Sequence, residues 1–262
     1  MIPRRYIQQW RNQVSWITDA QVEQDLVIGR AVIEIYSHPL LKKSLAFRGG
    51  TALGKLFFSP QLRYSEDIDL VQIHAGPIKP IIDGIREALS FLGIPNVRQA
   101  KHNNTLRFSF DSEIPPVSNM KLKVEINTRE HFTVLGYTDK SFSMENGWFS
   151  GSSSLTTYTI EELAGTKLRA LYQRKKGRDL FDLFTILNSQ QYDDKKIIDS
   201  YTEYMSFVTD HLPTKNEYLI NLSKKCEDPE FIGDMEGLLS PGVSFDIHTA
   251  YELVRQTLLE KL

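Results

Sequence analysis

A glycine pair, a short helix and a strand with two alternating aspartates follow one another in the first third of the sequence. Gly49 and Gly50 precede residues 51–58, which have the pattern of a short helix. Residues 67–73 then alternate polar and apolar side chains, as a strand does when one of its faces is buried. This order predicts that a glycine turn, a helix N-terminus and an acidic strand face meet in one domain.

The glycine pair and the helix after it are suited to binding phosphate. Gly49 and Gly50 have no Cβ, so a phosphate chain can approach their backbone closely. A helix that opens at Thr51 directs free backbone N–H groups and the positive end of its dipole toward an anion. The Thr51 hydroxyl adds a further donor. We therefore expect these residues to hold a triphosphate.

Three acidic residues on two predicted strands are candidate metal ligands. Asp67 and Asp69 are two residues apart, so their side chains share one strand face. Glu125 lies between Val124 and Ile126 and faces away from the core side that those two residues occupy. Two carboxylates on one face can bridge a pair of Mg²⁺ ions roughly 4 Å apart, the arrangement for in-line nucleotidyl transfer. A third carboxylate would ligate the catalytic metal and draw the proton from the attacking hydroxyl.

Each part of this pattern also has an interpretation without catalysis. An Asp-x-Asp pair alone is a weak signal, and a glycine pair beside it can be an ordinary turn next to a solvated strand face. Glu125 also fits an exposed strand residue with no ligand. The combination of the glycine pair, the Asp-x-Asp strand and the later Glu125 strand favours the catalytic interpretation.

The order of predicted elements divides the chain into two domains. From Thr159 onward strands disappear and helical patterns recur, and Thr159 with Glu162 has the spacing of a capping box. The Gly- and Ser-rich segment 146–157 is expected to be a linker. We predict an α+β domain over residues 1–155, with a mixed sheet flanked by helices, followed by an all-helical domain over residues 156–262.

The composition limits the partners and the environment of the chain. A net charge of −2 means that any nucleic-acid contact must come from a local basic patch. No run of about 18 apolar residues is present, so no transmembrane helix and no membrane partner are expected. Cys226 is the only cysteine and cannot form an internal disulfide, which fits a reducing environment. We therefore expect a cytoplasmic protein.

Four motifs together form a pattern shared with a known family. Phe-Arg-Gly-Gly-Thr-Ala-Leu at residues 47–53 is followed by Arg-Tyr-Ser-Glu-Asp-Ile-Asp-Leu at residues 63–70. Lys-Leu-Arg-Ala at residues 167–170 and Arg-Asp-Leu-Phe-Asp-Leu at residues 178–183 follow in the second half. With these motifs the chain resembles the AbiEii/AbiGii family of toxin nucleotidyltransferases, MenT-like members of the DNA polymerase β-like superfamily.

The resemblance implies an enzyme that uses Mg²⁺ and a nucleoside triphosphate (NTP). Family members act as toxins, some modify the acceptor end of tRNA, and a cognate antitoxin keeps them silent. Within the first two motifs, the resemblance implies nucleotide binding by Arg48, Thr51, Arg63 and Ser65, together with the glycine pair. Many superfamily members have serine at the position of Thr51 and many relatives have lysine at Arg48, so the hydroxyl and the charge are kept.

The second domain supplies four further candidates for the nucleotide site. A lysine such as Lys167, placed opposite the metals, would neutralise the charge that builds on the transferred phosphorus. Lys167 also fits a solvated helix lysine. Asp179 and Asp182 lie three residues apart on one helix face. They are expected either to orient Lys167 or Arg169 through salt bridges or to cap the helix that opens near Arg178.

Residues 174–178 form the only dense basic run of the sequence. Together with Lys167 and Arg169, this run is suited to hold the phosphates of an RNA acceptor. A solvated turn between two helices explains the same charges.

Three functions compete on this pattern. The leading hypothesis is a toxin that transfers a nucleotide from an NTP to an RNA end, with tRNA as the first candidate acceptor. The second keeps the chemistry and replaces RNA with a protein hydroxyl or a small molecule, which the near-neutral charge favours. The third is a non-catalytic nucleotide-binding or antitoxin-docking module, against which the intact Asp67, Asp69 and Glu125 argue.

Overall fold

The computed structural model describes residues 2–189 and 191–262, which form two compact units. The first unit consists of the chain up to Phe132 together with Tyr137–Thr157. The second unit consists of Thr133–Gly136 together with Tyr158–Leu262. The short segment Thr133–Gly136 therefore leaves the first unit between two of its strands and is part of the second.

The first unit contains a seven-stranded mixed sheet with helices, which confirms the α+β class predicted from the sequence. Its helices are α1 (Arg4–Arg11), α2 (Asp19–Ser37), α3 (Pro39–Ser44), α4 (Gly49–Phe57) and α5 (Lys79–Ala88). Its strands are β1 (Leu45–Arg48), β2 (Asp67–Gln72), β3 (Asn96–Gln99), β4 (Asn103–Asp111), β5 (Asn119–Asn127), β6 (Tyr137–Met144) and β7 (Gly151–Tyr158).

The sheet places β2 and β1 next to each other at its centre. Its strand order is β3-β4-β5-β2-β1-β7-β6. β2 runs antiparallel to β1 and parallel to β5, while β4 runs antiparallel to both β3 and β5. The alternating segments predicted as strands lie in β2, β4 and β5, where the apolar residues are buried and the polar residues between them are less so. The central sheet therefore follows the period-two pattern of the sequence.

The predicted linker at residues 146–157 is wrong for most of its length, because β7 begins at Gly151. β7 pairs parallel with β1, and Thr157 donates a hydrogen bond from its hydroxyl to the carbonyl of Phe47 at 2.6 Å. Leu155 is fully buried. The serines and glycines of this segment have low strand preference, so its strand state depends on pairing with a distant part of the chain.

The second unit contains helices and no strand beyond the last residue of β7 among the residues that the structure describes. These helices are α6 (Ile160–Gln173), α7 (Gly177–Ser189), α8 (Asp194–Ser206), α9 (Lys215–Cys226), α10 (Pro229–Gly233) and α11 (Ile247–Thr257). Across the described parts of both units, no helix has the length and apolar character needed to cross a membrane.

The capping box predicted at the start of α6 is half correct. Thr159 accepts a hydrogen bond from the backbone N–H of Glu162, as a capping residue does. The carboxylate of Glu162 does not return to Thr159. It accepts hydrogen bonds from the Thr133 hydroxyl at 2.7 Å, from the backbone N–H groups of Val134 and Leu135 at 2.9 Å each, and from the Tyr204 hydroxyl at 2.8 Å. A fully buried Glu162 therefore attaches the segment Thr133–Gly136 to the second unit.

A buried carboxyl on α2 makes the stability of the first unit depend on pH. Glu23 is fully buried and accepts the backbone N–H of Glu113 at 3.0 and 3.1 Å. Burial raises the pKa of Glu23 to about 7. Because this lies above the unfolded value of about 4.3, the proton-linked stabilisation is fully present below about pH 4 and is lost as the pH rises through 7.

We therefore expect the stability of Glu23→Gln, relative to the wild type, to be greater at high pH than at low pH. The neutral amide cannot ionise, so the Tm of the variant relative to the wild type should rise between pH 5 and pH 8.5. Glu145→Gln changes an exposed glutamate of the same unit and should show no such trend. An equal Tm difference for Glu23→Gln at both pH values would contradict the assignment.

Candidate active site

Three carboxylates share one face of the central sheet, where β2 and β5 lie side by side. The parallel register places Asp67 opposite Lys123 and Asp69 opposite Glu125. Along both strands these residues are half-buried and alternate with fully buried apolar residues. Asp67, Asp69 and Glu125 therefore lie on the face that the period-two pattern predicted, away from the buried core positions.

Lys123 binds two of the three acids, an arrangement that the sequence interpretation missed. Its ammonium Nζ lies 2.7 Å from Oδ2 of Asp67 and 3.3 Å from Oε2 of Glu125. Lys123 is two residues before Glu125 on the same strand, so the alternation that placed Glu125 also places Lys123 on this face. Which acids it meets depends on the β2–β5 register, which the local sequence does not show.

The electrostatics of this cluster follow from crowding of negative charge under partial burial. Burial raises the pKa of Asp67, and the charges of Glu66 and Glu125 raise it further, which outweighs the opposing effect of Lys123. Burial lowers the pKa of Lys123, but its hydrogen bond to Asp67 and the charges of Asp67 and Glu125 outweigh it, so the pKa lies above its ordinary value. The acids therefore favour a cation between them.

The donor set of this face suits a divalent metal. Asp67 and Glu125 already converge on one cation, the ammonium of Lys123. Carboxylate oxygens are the ligands that Mg²⁺ prefers. Among residues 2–189 and 191–262, no group of three or more His, Cys, Asp and Glu side chains is arranged to hold a metal ion. The three acids therefore supply suitable donor atoms on one face, but two of them bind the Lys123 ammonium and the three are not arranged as a complete set of metal ligands.

Gly49 brings the backbone of α4 against Asp69. α4 begins at Gly49, two residues earlier than the sequence pattern suggested. Gly49 has φ +80°, and a Cβ there would lie 2.2 Å from Oδ2 of Asp69. At Gly50, a Cβ would lie 2.2 Å from Nη2 of Arg63. Gly49 is therefore required by its positive φ and by the Asp69 side chain, and it places the N-terminus of α4 beside the acidic face. At Gly50 the neighbouring group is the end of the flexible Arg63 side chain.

Two hydroxyls that were expected to bind nucleotide form an internal link. Thr51 is buried, and its hydroxyl bonds to the Ser65 hydroxyl at 2.8 Å and donates to the carbonyl of Asp67. Arg63 is also buried and donates to the carbonyl of Tyr64 at 3.0 Å. These contacts hold the segment that leads into β2, so the expected phosphate contact of the Thr51 hydroxyl is replaced by a contact inside the protein.

Arg48 ends β1 opposite Asp69 and binds a buried acid. Its Nη1 lies 2.6 Å from Oε2 of Glu130, which also accepts a hydrogen bond from Asn127 at 3.2 Å. Glu130 is only 4% exposed. The sequence interpretation did not include Glu130, which has no motif around it. Its carboxylate orients the guanidinium of Arg48 at the end of the strand next to the acidic face.

The second unit contains its own buried charge cluster at the residues the family motifs share. Nζ of Lys167 lies 3.0 Å from Oδ1 of Asp179 and 2.7 Å from Oδ2 of Asp182. Arg174 donates two further hydrogen bonds to Asp179 at 2.7 and 2.8 Å. Lys167 is 7% exposed, so it is not a solvated helix lysine. Of the two roles proposed for the aspartates, the salt bridges to Lys167 are present.

The basic run at residues 174–178 is largely neutralised by acids of the second unit. Lys175 lies 2.8 Å from Asp228 and 3.1 Å from Glu230. Asp234 lies 3.3 Å from the ammonium of Lys176. Asp234 also accepts a hydrogen bond from the backbone N–H of Arg178, the last residue of the run, and lies 3.8 Å from the Nε of the same arginine. These pairs reduce the positive potential that the run presents, compared with the free patch expected from the sequence.

Comparison with solved structures shows that the fold is similar to that of a nucleotidyltransferase toxin and of a second bacterial protein. MenT4, a nucleotidyltransferase toxin from Mycobacterium tuberculosis, superposes with a TM-score of 0.68 at 18% identity, covering 100% of this chain and 91% of that chain. JHP933 from Helicobacter pylori superposes with a TM-score of 0.54 at 16% identity, covering 94% of each chain. No curated protein sequence matches the chain.

The family model described as "Nucleotidyl transferase AbiEii toxin, Type IV TA system" matches residues 30–252. This span includes all four motifs, the acidic face of the first unit and the charge cluster of the second. The resemblance inferred from the motifs is thereby confirmed. The chain belongs to the AbiEii family of nucleotidyltransferase toxins of type IV toxin–antitoxin systems.

Proposed function

We propose that this toxin transfers a nucleotide from an NTP to an RNA end in a Mg²⁺-dependent reaction, with tRNA as the leading acceptor. The observation that carries the proposal is the common face of Asp67, Asp69 and Glu125, with the N-terminus of α4 against Asp69. Carboxylates that converge on a cation beside a glycine-led helix N-terminus supply metal ligands and phosphate donors in one place.

Asp67, Asp69 and Glu125 would hold the metal ions. When bound, two such ions stabilise the negative charge of the attacking and leaving oxygens in an in-line displacement. Glu125 accepts a hydrogen bond from Asn103 at 3.4 Å and lies beside Lys123, and these contacts orient its carboxylate on the acidic face. An oriented carboxylate at this position is suited to accept the proton of an attacking hydroxyl.

The triphosphate would be bound by the start of α4 and by oriented cations. Gly49 and Gly50 present backbone N–H groups at the positive end of the helix dipole. Arg48 supplies a guanidinium held by Glu130. Thr51, Ser65 and Arg63 support the site by holding the chain between α4 and β2.

For the second unit, we propose that Lys167 acts on the phosphates of the nucleotide. Its ammonium is held by Asp179 and Asp182, which restricts the side chain to one orientation. A pre-oriented cation stabilises developing phosphate charge at low reorganisation cost. Arg178 lies at the start of α7 and is held near Asp234, and we assign it a supporting role on the same nucleotide.

Incubation of the purified protein with Mg²⁺, each α-labelled NTP and total cellular RNA tests the RNA proposal. Label in an RNA band of tRNA size, lost when the RNA is digested by ribonuclease, is the expected result. Label that enters protein or small molecules while RNA stays unlabelled would contradict the RNA acceptor.

One observation favours a second candidate, in which a protein or small-molecule hydroxyl is the acceptor. The densest basic run of the chain is paired with acids, and the net charge of the protein is −2. RNA binding generally requires a positive surface that follows the phosphate backbone. The labelling assay, repeated with a whole-cell extract in place of purified RNA, separates the two candidates because the extract supplies RNA, protein and small-molecule acceptors together.

The family also implies a partner that controls the toxin. We propose a cognate antitoxin encoded alongside this chain and a cytoplasmic site of action, where NTP and tRNA are both present. Co-expression with the neighbouring gene should relieve growth arrest caused by the toxin alone. Growth arrest that persists with the neighbouring gene product present would argue against that partner.

We expect Gly49→Ala to lower the rate of nucleotide transfer by roughly a hundredfold, because the new Cβ displaces the Asp69 carboxylate. The variant also places alanine at φ +80°, which costs about 1 kcal/mol of stability. Gly93→Ala is a matched control: Gly93 has φ +83°, and a Cβ there would meet no further atom of the described chain within 4 Å. It should lose stability through backbone strain and keep full activity. Equal activity loss in both variants would contradict the role of the Gly49–Asp69 contact.

A further inference from the structure

We infer that Lys123 is an internal counter-cation of the metal site, which a divalent metal must displace before it can bind Asp67 and Glu125 together. The inference rests on the proposed metal site and adds a residue that opposes occupation of that site in the nucleotide-free protein. It predicts that, in the absence of nucleotide, this toxin binds a divalent metal more weakly than the same three carboxylates would without Lys123.

The geometry places the Lys123 ammonium where it competes for metal ligands. Nζ is within hydrogen-bond distance of Oδ2 of Asp67 and within ion-pair distance of Oε2 of Glu125. A divalent ion would need the same two carboxylates, with Mg–O distances of about 2.0–2.1 Å. An ammonium and a dication cannot share these oxygens closely without strong repulsion, so Lys123 must leave at least one acid when the metal enters.

The charge balance explains why a cation occupies this position in the protein itself. Asp67, Asp69 and Glu125 bring three carboxylates to adjoining positions of two strands, and Glu66 lies next to them in the chain. Like charges this close destabilise one another. Lys123 reduces this repulsion while keeping the acids on one face, so the site stays assembled without a bound metal.

Partial exposure makes the exchange feasible. The side chains of Lys123, Asp67 and Glu125 are between 28% and 34% exposed. Water therefore reaches the ammonium, and its long flexible side chain can move away from the acids without an isolated charge being buried. The proposed triphosphate would offer the released ammonium a new anionic partner on the same face.

Lys123→Met tests the inference, with Lys121→Met as its matched control. Methionine keeps the length of the side chain and removes its charge. Lys121 is exposed on the same face of β5, two residues and roughly 7 Å away along the strand, and makes no side-chain ion pair within the part of the chain that the structure describes. Both variants change the net charge equally, so a difference between them reports the contact with Asp67 and Glu125.

Binding of Mn²⁺ alone, followed by electron paramagnetic resonance at constant pH and ionic strength, is the direct measurement. We expect Lys123→Met to lower the Kd for Mn²⁺ by roughly tenfold or more, since removing a nearby like charge favours the dication. Lys121→Met should keep the wild-type Kd. A Lys123→Met variant that binds Mn²⁺ no more tightly than the wild type would overturn the inference.

A second measurement uses the wild-type protein and does not depend on the folding of a variant. Acetylation of lysines by a water-soluble reagent, read by mass spectrometry, compares Lys123 with Lys121 in the same peptide region. Addition of Mn²⁺ should raise the modification of Lys123 relative to Lys121, because the ammonium is released from the acids. An unchanged ratio at saturating Mn²⁺ would count against displacement.

These outcomes separate the inference from the proposed function. If the wild type binds Mn²⁺ and Asp69→Asn abolishes that binding, the metal site stands whatever Lys123→Met does. If neither the wild type nor Lys123→Met binds Mn²⁺, the metal site and the inference both fail.

Discussion

Asp69→Asn is expected to lower the rate of nucleotide transfer by at least about a thousandfold, equivalent to about 4 kcal/mol of transition-state stabilisation. Asparagine keeps the shape of the side chain against Gly49 and removes the negative charge that a metal requires. Asp69 lies opposite Glu125 in the β2–β5 register, so its loss removes one side of the acidic face. The initial rate with saturating Mg²⁺ and NTP is the measurement.

Two controls make the Asp69→Asn result specific to the site. Asp111→Asn changes an exposed aspartate at the end of β4 in the same sheet and should keep the wild-type rate. The Tm of Asp69→Asn should lie close to that of the wild type, because the amide fills the same space. An Asp69→Asn variant that is folded and fully active would show that this carboxylate does not serve the reaction.

Lys167→Met is expected to destabilise the protein by about 3–5 kcal/mol at pH 7, the usual cost of removing one partner from a buried ion pair. The variant leaves Asp182 without this ammonium and Asp179 with Arg174 alone. Asp179 is fully buried, so its charge has no access to water. Urea unfolding followed by circular dichroism measures the loss.

The pH dependence of this loss provides an internal check. Burial raises the pKa of Asp179, but the charges and hydrogen bonds of Lys167 and Arg174 outweigh it and hold the pKa well below its ordinary range. A folded pKa below the unfolded value of about 3.9 gives stabilisation that is present above that value and is lost as the pH falls. The difference between Lys167→Met and the wild type should therefore stay nearly constant from pH 7 to about pH 4 and shrink between about pH 4 and about pH 2.5, below the unfolded pKa.

Lys195→Met is the control for Lys167→Met in the same unit. Lys195 pairs with Asp199 at 2.6 Å, but its side chain is 79% exposed. An exposed pair of this kind contributes little to stability because water and salt screen it. A loss for Lys167→Met as small as that for Lys195→Met, or one equal at pH 7 and at about pH 2.5, would contradict the buried cluster.

The sequence predicted those parts of the fold that depend on local periodicity. β4 and β5 bury every second residue, as does β2 over residues 67–70, and the same alternation placed Asp67, Asp69 and Glu125 on one face. The helices of the second unit follow the 3.6-residue pattern in the same way. Neighbouring residues alone are enough to specify these features.

The parts that were missed depend on contacts between distant segments. β7 is a strand because it pairs with β1, although its serines and glycines resemble a linker. Thr51 binds inside the protein because the segment before β2 packs against it. Glu162 binds Thr133–Gly136 instead of its own helix start. In each case a polar group found a long-range partner that local spacing does not show.

The candidate site shows the same division. Periodicity predicted the three acids, but the position of the Lys123 ammonium follows from the parallel register of β2 and β5. The basic run at residues 174–178 looked like a free patch in the sequence, and acids at Asp228, Glu230 and Asp234 neutralise much of it in the fold. Charge in the sequence therefore overstated the positive surface.

The central claim, that the acidic face of β2 and β5 supports nucleotidyl transfer, is tested most directly by comparing two labels on the same NTP. With the acceptor identified by the labelling assay, a label at the α-phosphate should enter the acceptor in the presence of Mg²⁺, and a label at the γ-phosphate should not. Asp69→Asn should remove the transfer. Transfer of the γ-label instead, or transfer of the α-label that persists in Asp69→Asn, would contradict the account.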